Sequence, residues 1–331
     1  MKDIMPDEMQ IRDYVQSVIK ETYRAFGFTP IETPCMEDIA NLSNKQGGEN
    51  EKLIFKVLKR GEKLKLETAQ SEADLVDFGM RYDLTVPLCR YYANHANDLP
   101  SRLRHFRWEM YGVQTVHREV VTVSLLQCDI DILGEPSNLA EIELILATTT
   151  TLGKLGFKNF EIRINERRIL KAMAAYSGFA EEEFDTVFII LDKMDKIGLD
   201  GVAEELAKEG YAQEAIDKYL SLFTGVEQAE DGISYLADTL GDYLDAEIVQ
   251  NMKEIASAVN ATKTASFELV FDPTLVRGMS YYTGTIFEIA IPEFGGSCGG
   301  GGRYDKMVGN FTGKDVRPAD FPSDLSVSFC F

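Results

Sequence analysis

The chain has 331 residues, 45% of them apolar, and a net charge of −20 at pH 7. That length allows roughly one to three domains with a real hydrophobic core. The negative charge argues against a broad nucleic-acid-binding surface, because phosphate contacts need local Lys and Arg. No apolar run approaches the roughly 18 residues of a membrane span, and no secretory signal opens the chain. We therefore expect a cytoplasmic protein with no membrane association. Its three widely spaced histidines predict no metal site.

The first elements are a helix and then extended segments. Residues 6–27 carry apolar side chains at helical spacing, with Pro6 at the start and Gly27 where a C-terminal cap belongs. Residues 27–37 contain two prolines, which permit an extended edge segment but not a helix. Residues 52–58 alternate weakly and predict a strand.

A strand-like start at residues 80–93 turns into a helix that we expect to begin near Pro87. Residues 125–135 alternate polar and apolar side chains, which is typical of a strand. Gln127, Asp129 and Asp131 then share one face, and Cys128, Ile130 and Ile132 share the other. A helix follows from Leu139, with Asn138 and Glu141 in capping-box spacing.

Another strand is predicted at residues 159–165, followed by an acidic block of helix formers at 166–262. Strands resume after the block and lead into a glycine-rich turn, GGSCGGGGRYD, at residues 295–305. From Arg317 onward no helical or strand period is visible. The pattern predicts an α+β fold, a mainly antiparallel sheet flanked by helices. The predicted organisation is a core at 1–165, a helical insertion domain at 166–262 and the rest of the core at 263–331.

Polar residues on predicted strands are the candidates for chemistry. Asp83 and Thr85 lie two apart, so on an extended chain both point the same way. Gln127 and Asp131 share a strand face, while Arg277 is followed by the pair Tyr281 and Tyr282. Each set alone suits a solvated strand face or a turn as well. Together, carboxylates, an amide, an arginine and two phenols suit a zwitterionic ligand, with carboxylates for its ammonium and arginine for its carboxylate.

The glycine run has two interpretations as well. It suits a flexible loop, but the flanking strand and helix start favour close backbone approach to a ligand. The spacing matches neither the Walker pattern nor the dinucleotide fingerprint.

Six blocks, taken in order, resemble histidyl-tRNA synthetase, a class II aminoacyl-tRNA synthetase. They are GFTPIETPCME, RYDLTVPLCRY, QCDIDILGE, LDKMDKIG, LVRGMSYYTGTIFE and GGGGRYDKMV. The resemblance covers most of residues 3–316 and implies that the first block lies at a dimer interface. It further implies that Asp83, Thr85, Gln127 and Asp131 bind the ammonium and imidazole of histidine. Arg277 matches the family's catalytic arginine. Histidine-binding roles also fall on Tyr281 and Tyr282, which line the imidazole pocket, and on Gly300, Gly301 and Gly302, which form its floor.

The implied reaction joins histidine to tRNA(His) in two steps. The histidine carboxylate attacks the α-phosphorus of ATP, with Mg²⁺ on the phosphates, and the tRNA then accepts the histidyl group. The resemblance also implies a homodimer.

Two segments depart from the family's pattern. Between Pro100 and Leu126, where the family has a strand–loop–strand like MGNVWRADRPQ…GRYREF, whose arginines bind ATP, this chain reads SRLRHFRWEMYGVQTVHREVVTVSLL. Where it has a segment like PACGFSIGFERIV, residues 317–331 read RPADFPSDLSVSFCF. Codons for both segments permit a neighbouring frame that encodes the family's motif.

We therefore predict single-base slips in the gene or its recorded sequence. One opens near Ser101 and is compensated near Leu126. Another, near Val316, is uncompensated and leads to early termination without an anticodon-binding domain. The alternative is a diverged paralogue. The ATP-binding residues are accordingly not assignable, and no ATP role is transferred to the arginines of this region, Arg102, Arg104, Arg107 and Arg118. The chain is expected to be impaired in adenylate formation.

A second class of function stays open at this point. A regulatory subunit of ATP phosphoribosyltransferase would keep a synthetase-like core, lack the anticodon-binding domain and sense histidine without catalysis. The complete set of histidine-binding residues and the LDKMDKIG block favour the ligase. A gene product without function is the third alternative.

Overall fold

A computed structural model describes most of the chain. The described residues are 3–43, 54–112, 115–117, 120–122, 125–277, 282–292, 296–305, 307–308 and 324–330. They belong to two compact units, one built on Met1–Gly134 and the other on Glu135–Asp305. Among the described helices, none is both long and apolar enough to cross a bilayer.

The first unit combines helices with short and long strands. Its helices are α1 (Pro6–Ala25), α2 (Ile39–Leu42) and α3 (Thr85–His95). Its strands are β1 (Thr29–Pro30), β2 (Met36–Asp38), β3 (Lys56–Leu58), β4 (Val76–Met80), β5 (Leu103–Tyr111), β6 (Thr115–His117), β7 (Val120–Thr122) and β8 (Leu125–Leu133). The predicted first helix ends where expected, because Gly27 adopts φ 83°, a conformation that glycine takes without strain.

Strands β5 and β8 are the frame of this unit. They pair antiparallel along their whole length, from Leu103 opposite Leu133 to Tyr111 opposite Leu125, and β1 runs parallel to β5. Phe106 of β5 packs on Tyr23 of α1, with ring centroids 6.0 Å apart. This apolar face of the pair is therefore covered by α1, and the other face is left for polar side chains.

The second unit combines strands with a large helical block. Its strands are β9 (Phe160–Glu166), β10 (Phe267–Phe271), β11 (Thr285–Ile291) and β12 (Gly296–Arg303), paired in the order β10-β9-β11-β12. Its helices are α4 (Leu139–Lys154), α5 (Arg167–Ser177), α6 (Phe184–Leu191), α7 (Met194–Lys208), α8 (Gln213–Gln228), α9 (Gly232–Leu240) and α10 (Ala246–Thr262). Among the described strand pairings of this unit, β9–β10 alone is parallel, so the predicted α+β class is confirmed. The three-part division of the chain stays a prediction, because α5–α10 share a compact unit with these strands.

The glycine-rich turn predicted at residues 295–305 is wrong. Gly296–Arg303 is a strand, β12, paired antiparallel with β11 from Gly302 opposite Ile286 to Gly296 opposite Ile291. Pairing with β11 provides hydrogen-bond partners for the backbone N–H and C=O groups of these residues. Because glycine has no side chain, the glycines of β12 leave space next to the strand for side chains of the candidate site.

The predicted capping box at the start of α4 is wrong, although the helix does begin at Leu139. The Asn138 amide donates to Asn251 and Glu254 of α10, at 3.1 Å each. Glu141 accepts two hydrogen bonds from Arg303, at 2.7 and 2.6 Å. Asn138 and Glu141 therefore bond to residues distant in sequence instead of capping α4. For Glu141 the reason is that a charged, bidentate hydrogen bond to arginine is stronger than a hydrogen bond to a backbone N–H.

The expectation that no period exists beyond Arg317 is also wrong. Asp324–Cys330 forms a strand, β13. The sequence DLSVSFC alternates apolar and hydroxyl side chains at Leu325, Val327 and Phe329 against Ser326 and Ser328. That period of two is the pattern of a strand, although it extends over only a few residues.

Candidate active site

A buried polar face on β5 and β8 is the main feature of the first unit. The pairing sets His105 opposite Asp131, Arg107 opposite Asp129 and Glu109 opposite Gln127. All six side chains are at most 6% exposed. The predicted alternation of β8 is thus confirmed, and its polar face is buried instead of solvated. Burying this many charges is costly without partners, so such a face is typical of a binding site.

Arg107 links this face to the start of α3. Its guanidinium donates to the Asp131 carboxylate at 2.8 Å and lies 3.7 Å from the Asp129 carboxylate. It also donates to the backbone carbonyl of Leu84. Leu84 separates two of the predicted histidine-binding residues, so the arginine connects the loop before α3 with β8.

The backbone around Asp83 and Thr85 differs from the extended conformation predicted. The chain is not extended here, because Leu84 has helical dihedral angles and Thr85 is the first residue of α3. The Asp83 carboxylate accepts a hydrogen bond from the backbone N–H of Val86 at 3.2 Å. Through Leu84 and Arg107, both residues lie next to the polar face that carries Gln127 and Asp131. The Asp83 carboxyl therefore lies close enough to Asp131 for their charges to interact, and Thr85 is linked to the same face through the backbone of Leu84.

Burial and charge set the protonation of this site. Burial alone would raise the pKa of Asp131, but Arg107 and His105 outweigh it, so that pKa is lowered and the carboxyl is ionised. Burial raises the pKa of Asp83 to about 6, against the opposing hydrogen bond from Val86 and the charge of Arg107. Burial lowers the pKa of His105, so its imidazole is neutral at pH 7.

Replacing Asp83 by Asn is expected to stabilise the fold at pH 8 and to change it little at pH 4. The folded pKa of about 6 exceeds the ordinary value of 3.8, so the folded state binds the proton more tightly. Stability from this group is present below pH 3.8 and is lost as pH rises through 6. At about 1.4 kcal/mol per pKa unit the loss is at most about 3 kcal/mol, and partial exposure reduces it to about 1–2 kcal/mol.

Urea unfolding of the parent and of Asp83→Asn at both pH values measures this gap. Asp98→Asn, at an exposed aspartate just beyond α3, is the matched control and should show no pH-dependent gap. A gap for Asp83→Asn that stays constant from pH 4 to pH 8 would refute the proposed titration.

The second unit holds the other predicted residues. Arg277 donates to Glu288 at 3.0 Å and to the Ser297 hydroxyl at 3.3 Å. Glu288 lies directly opposite Gly300 in the β11–β12 pairing. The arginine is thus held across these two strands by one carboxylate and one hydroxyl.

Two glycines of β12 make room for the side chains above them. A Cβ at Gly300 would come within 2.7 Å of the Arg277 guanidinium, and one at Gly302 within 2.9 Å of the Tyr282 ring. Since real Cβ atoms do not approach so closely, larger residues would displace Arg277 or Tyr282. Gly301 pairs with Phe287 and, by strand alternation, faces the opposite side. Tyr281, the remaining predicted residue, lies outside the described residues.

Sequence reasoning missed two residues of these sites. Arg107 was set aside because its segment departs from the family's pattern, yet its strand position opposite Asp129 places it within the polar face. Glu288 is the one charged residue in the apolar run TIFEIAI, a signal that could have identified it as the partner of Arg277.

Comparison with known proteins gives a consistent result. The sequence profile of the family described as histidyl-tRNA synthetase matches residues 1–320. Histidine–tRNA ligase of Leifsonia xyli subsp. xyli is 43% identical over 97% of this chain and 76% of that protein. The crystal structure of histidyl-tRNA synthetase from Nostoc sp. PCC 7120 superposes with a TM-score of 0.78 and 26% identity, over 99% of this chain and 71% of that one.

A second solved structure shares the fold. It is an ATP phosphoribosyltransferase regulatory subunit/histidyl-tRNA synthetase from Bacillus halodurans, with a TM-score of 0.77 and 19% identity over 100% of this chain and 79% of that one. At that identity the likeness concerns the fold alone. The mixed sheets and helices are those of a class II aminoacyl-tRNA synthetase. Within that class, the chain belongs to the histidyl-tRNA synthetase family, whose members are histidine–tRNA ligases.

Proposed function

We propose that this protein activates histidine with ATP to histidyl-adenylate and transfers the histidyl group to tRNA(His). The observation that carries the proposal is the buried polar face of β5 and β8, which holds Gln127 and Asp131 and is linked by Arg107 to Leu84, between Asp83 and Thr85. An excess of carboxylates inside a folded unit suits a cationic ligand, since charges there need partners. Membership of the histidyl-tRNA synthetase family supports histidine as that ligand.

The roles of the residues follow from their chemistry. Asp83 and Asp131 would bind the histidine ammonium, and Thr85 and Gln127 offer hydrogen bonds for its polar atoms. Arg277 would stabilise the negative charge that gathers between the histidine carboxylate and the α-phosphate of ATP. Glu288 and Ser297 would orient that arginine. Tyr282, Gly300 and Gly302 would shape the imidazole pocket, and the family's pattern adds Tyr281 and Gly301.

Mg²⁺ belongs with ATP in this proposal. Within the described residues there is no group of three or more His, Cys, Asp or Glu side chains placed to hold a metal. The ion would arrive on the phosphates, because Mg²⁺ keeps several waters and takes only one or two carboxylates from a protein. Bound there, it would neutralise phosphate charge. We assign it no protein ligand.

A homodimer is part of the proposal. The first unit exposes large apolar side chains at Ile11, Tyr14, Met36, Phe78 and Met110. Met36 belongs to the block that resembles the family's dimer motif. Exposed apolar side chains of this size are typical of an interaction surface. We also propose a cytoplasmic location, because the reaction requires tRNA.

Titration calorimetry with L-histidine, together with histidine-dependent ATP–pyrophosphate exchange, tests the function. Binding with exchange supports the ligase. Binding without exchange, plus activation of a phosphoribosyltransferase partner, would instead support the regulatory alternative. The exchange assay should use a chain with the neighbouring frame restored at 107–125 and 317–331, since we propose that this chain is impaired in adenylate formation.

Replacing Arg277 by Lys in that frame-restored chain is expected to lower kcat for exchange by about 10²- to 10³-fold. Lysine keeps the positive charge but lacks the planar guanidinium, which can bind Glu288 and a substrate carboxylate or phosphate at the same time. Because the loss concerns the transition state, the Kd for histidine should change by less than about threefold. Arg163→Lys, at a partly exposed arginine of β9, is the control and should keep full activity. An unchanged kcat for Arg277→Lys would remove the catalytic role.

A further inference from the structure

Arg81 is a buried arginine two residues before Asp83. Its side chain is 4% exposed and joins separate parts of the first unit. The Nε–H donates to the backbone carbonyl of Met110, near the end of β5, at 2.8 Å. The Nη1 group donates to the backbone carbonyl of Thr33 at 2.8 Å and pairs with the Glu109 carboxylate. One guanidinium therefore ties β5 to the segment between β1 and β2.

Glu109 and the backbone of Arg81 complete this network. The Glu109 carboxylate accepts hydrogen bonds from the N–H and the hydroxyl of Thr33, at 2.6 and 2.9 Å. The N–H of Arg81 donates to the carbonyl of Cys35 at 3.1 Å, and its carbonyl accepts from the N–H of Gly112 at 3.0 Å. Arg81 is thus fixed through its backbone and its side chain together.

The chain between β4 and α3 belongs to neither a helix nor a strand. It is anchored at both ends, by Arg81 after β4 and by the carbonyl of Leu84, which accepts a hydrogen bond from Arg107. Asp83 lies between these anchors, and Thr85 follows them as the first residue of α3. Because an irregular segment takes its position from its anchors, a change at Arg81 should displace Asp83.

We propose that Arg81 is a positioning residue for histidine binding, which holds Asp83 and Thr85 in place without touching the ligand. The inference rests on the proposed function, since it takes histidine as the ligand. A displacement of about 1 Å at a functional group can cost about 10²-fold. The guanidinium suits this task because its planar donors reach several acceptors at once, whereas a lysine ammonium acts as a point charge.

Arg81→Lys is the direct test, because lysine keeps the charge for Glu109 but cannot span the carbonyls of Thr33 and Met110. Titration calorimetry of the full chain with L-histidine should show a Kd raised roughly 10- to 100-fold with unchanged stoichiometry. A merely structural role would instead lower the stoichiometry and leave the Kd unchanged. Circular dichroism at the same temperature confirms that the variant is folded.

Arg90→Lys is the matched control. Arg90 of α3 also pairs with a buried carboxylate, that of Glu37 in β2, at 2.7 Å. This change should leave the Kd for histidine unchanged. If Arg81→Lys does not fold, the paired change of Arg81→Gln with Glu109→Gln removes both charges together and tests the same loss of reach.

A second measurement needs no ligand. The pH-dependent stability gap of Asp83→Asn exists because the Asp83 carboxyl is buried. In an Arg81→Lys background that gap should shrink, since the displaced carboxyl gains access to water. In an Arg90→Lys background the gap should persist. Urea unfolding at pH 4 and pH 8 measures both.

The outcomes separate this inference from the proposed function. If the parent binds histidine and Arg81→Lys binds it equally well, the inference is wrong and the function stands. A raised Kd with an unchanged Asp83 gap also overturns the inference, as does an equal rise in Kd for Arg90→Lys. If the parent and the frame-restored chain both fail to bind histidine, the proposed function is wrong. A gap that shrinks for Arg81→Lys alone would then still support the positioning of Asp83 by Arg81.

Discussion

Restoring the neighbouring reading frame at residues 107–125 and 317–331 is expected to raise histidine-dependent ATP–pyrophosphate exchange by at least about 10³-fold. The restored segments read MGNVWRADRPQRGGYREF and PACGFSIGFERIVLL, which resemble the ATP-binding motifs of the family. A single preorganised donor commonly contributes about 10²- to 10³-fold to the rate, and restoration returns several arginines at once.

Two half-restored chains are the controls for this experiment. Restoring only 107–125 should give little exchange, because the second arginine-bearing motif would still be absent. Restoring only 317–331 should also give little exchange, because the arginines of the first motif would still be absent. Sequencing the genomic locus gives an independent check. An intact gene that encodes the present residues, or a fully restored chain that stays inactive, would support the diverged paralogue instead.

Replacing Arg303 by Met is expected to lower the free energy of unfolding by about 3–5 kcal/mol. Arg303 holds both oxygens of Glu141, whose side chain is 1% exposed. Burial raises the pKa of Glu141 even with the arginine present, so the carboxylate depends on this partner. Without it, a charge stays buried and unpaired in α4, and that is the costly case. Urea unfolding at pH 7 measures the loss.

A double variant separates the ion pair from simple packing. Arg303→Met combined with Glu141→Leu removes both charges and should recover most of the lost stability, because well-packed apolar groups often replace a buried pair without penalty. Arg163→Met is the surface control, since Arg163 is 31% exposed and lies 3.5 Å from Glu161. It should lose less than about 1 kcal/mol. Equal losses at Arg163 and Arg303 would contradict the role given to the buried pair.

The ion pair also bears on the candidate active site. Arg303 is the last residue of β12, directly after the glycine that faces Tyr282. Its bonds to Glu141 fasten this end of the strand to α4. Replacing Arg303 should therefore loosen the end of the strand that carries Gly300 and Gly302, in addition to lowering the free energy of unfolding of the whole protein.

Local periodicity predicted the parts of the fold that depend on neighbouring residues. The apolar stripe of α1 and the alternation of β8 both follow from side-chain spacing, and Gly27 ends the helix for a reason local to one residue. The motif blocks also identified the family from the order of residues alone. Spacing of this kind is a property of the chain before it folds.

Only the tertiary structure decided which partner each polar group takes. Glu141 does not take part in the predicted capping box and instead bonds to Arg303, 162 positions away. Between Asp83 and Thr85 the chain adopts a helical conformation at Leu84 instead of the predicted extended one. Arg107 meets Asp131 because β5 and β8 pair in one register. Sequence spacing cannot predict such contacts, because a buried charge selects its partner from whatever the packed fold brings within reach, and the energy at stake exceeds that of any local hydrogen bond.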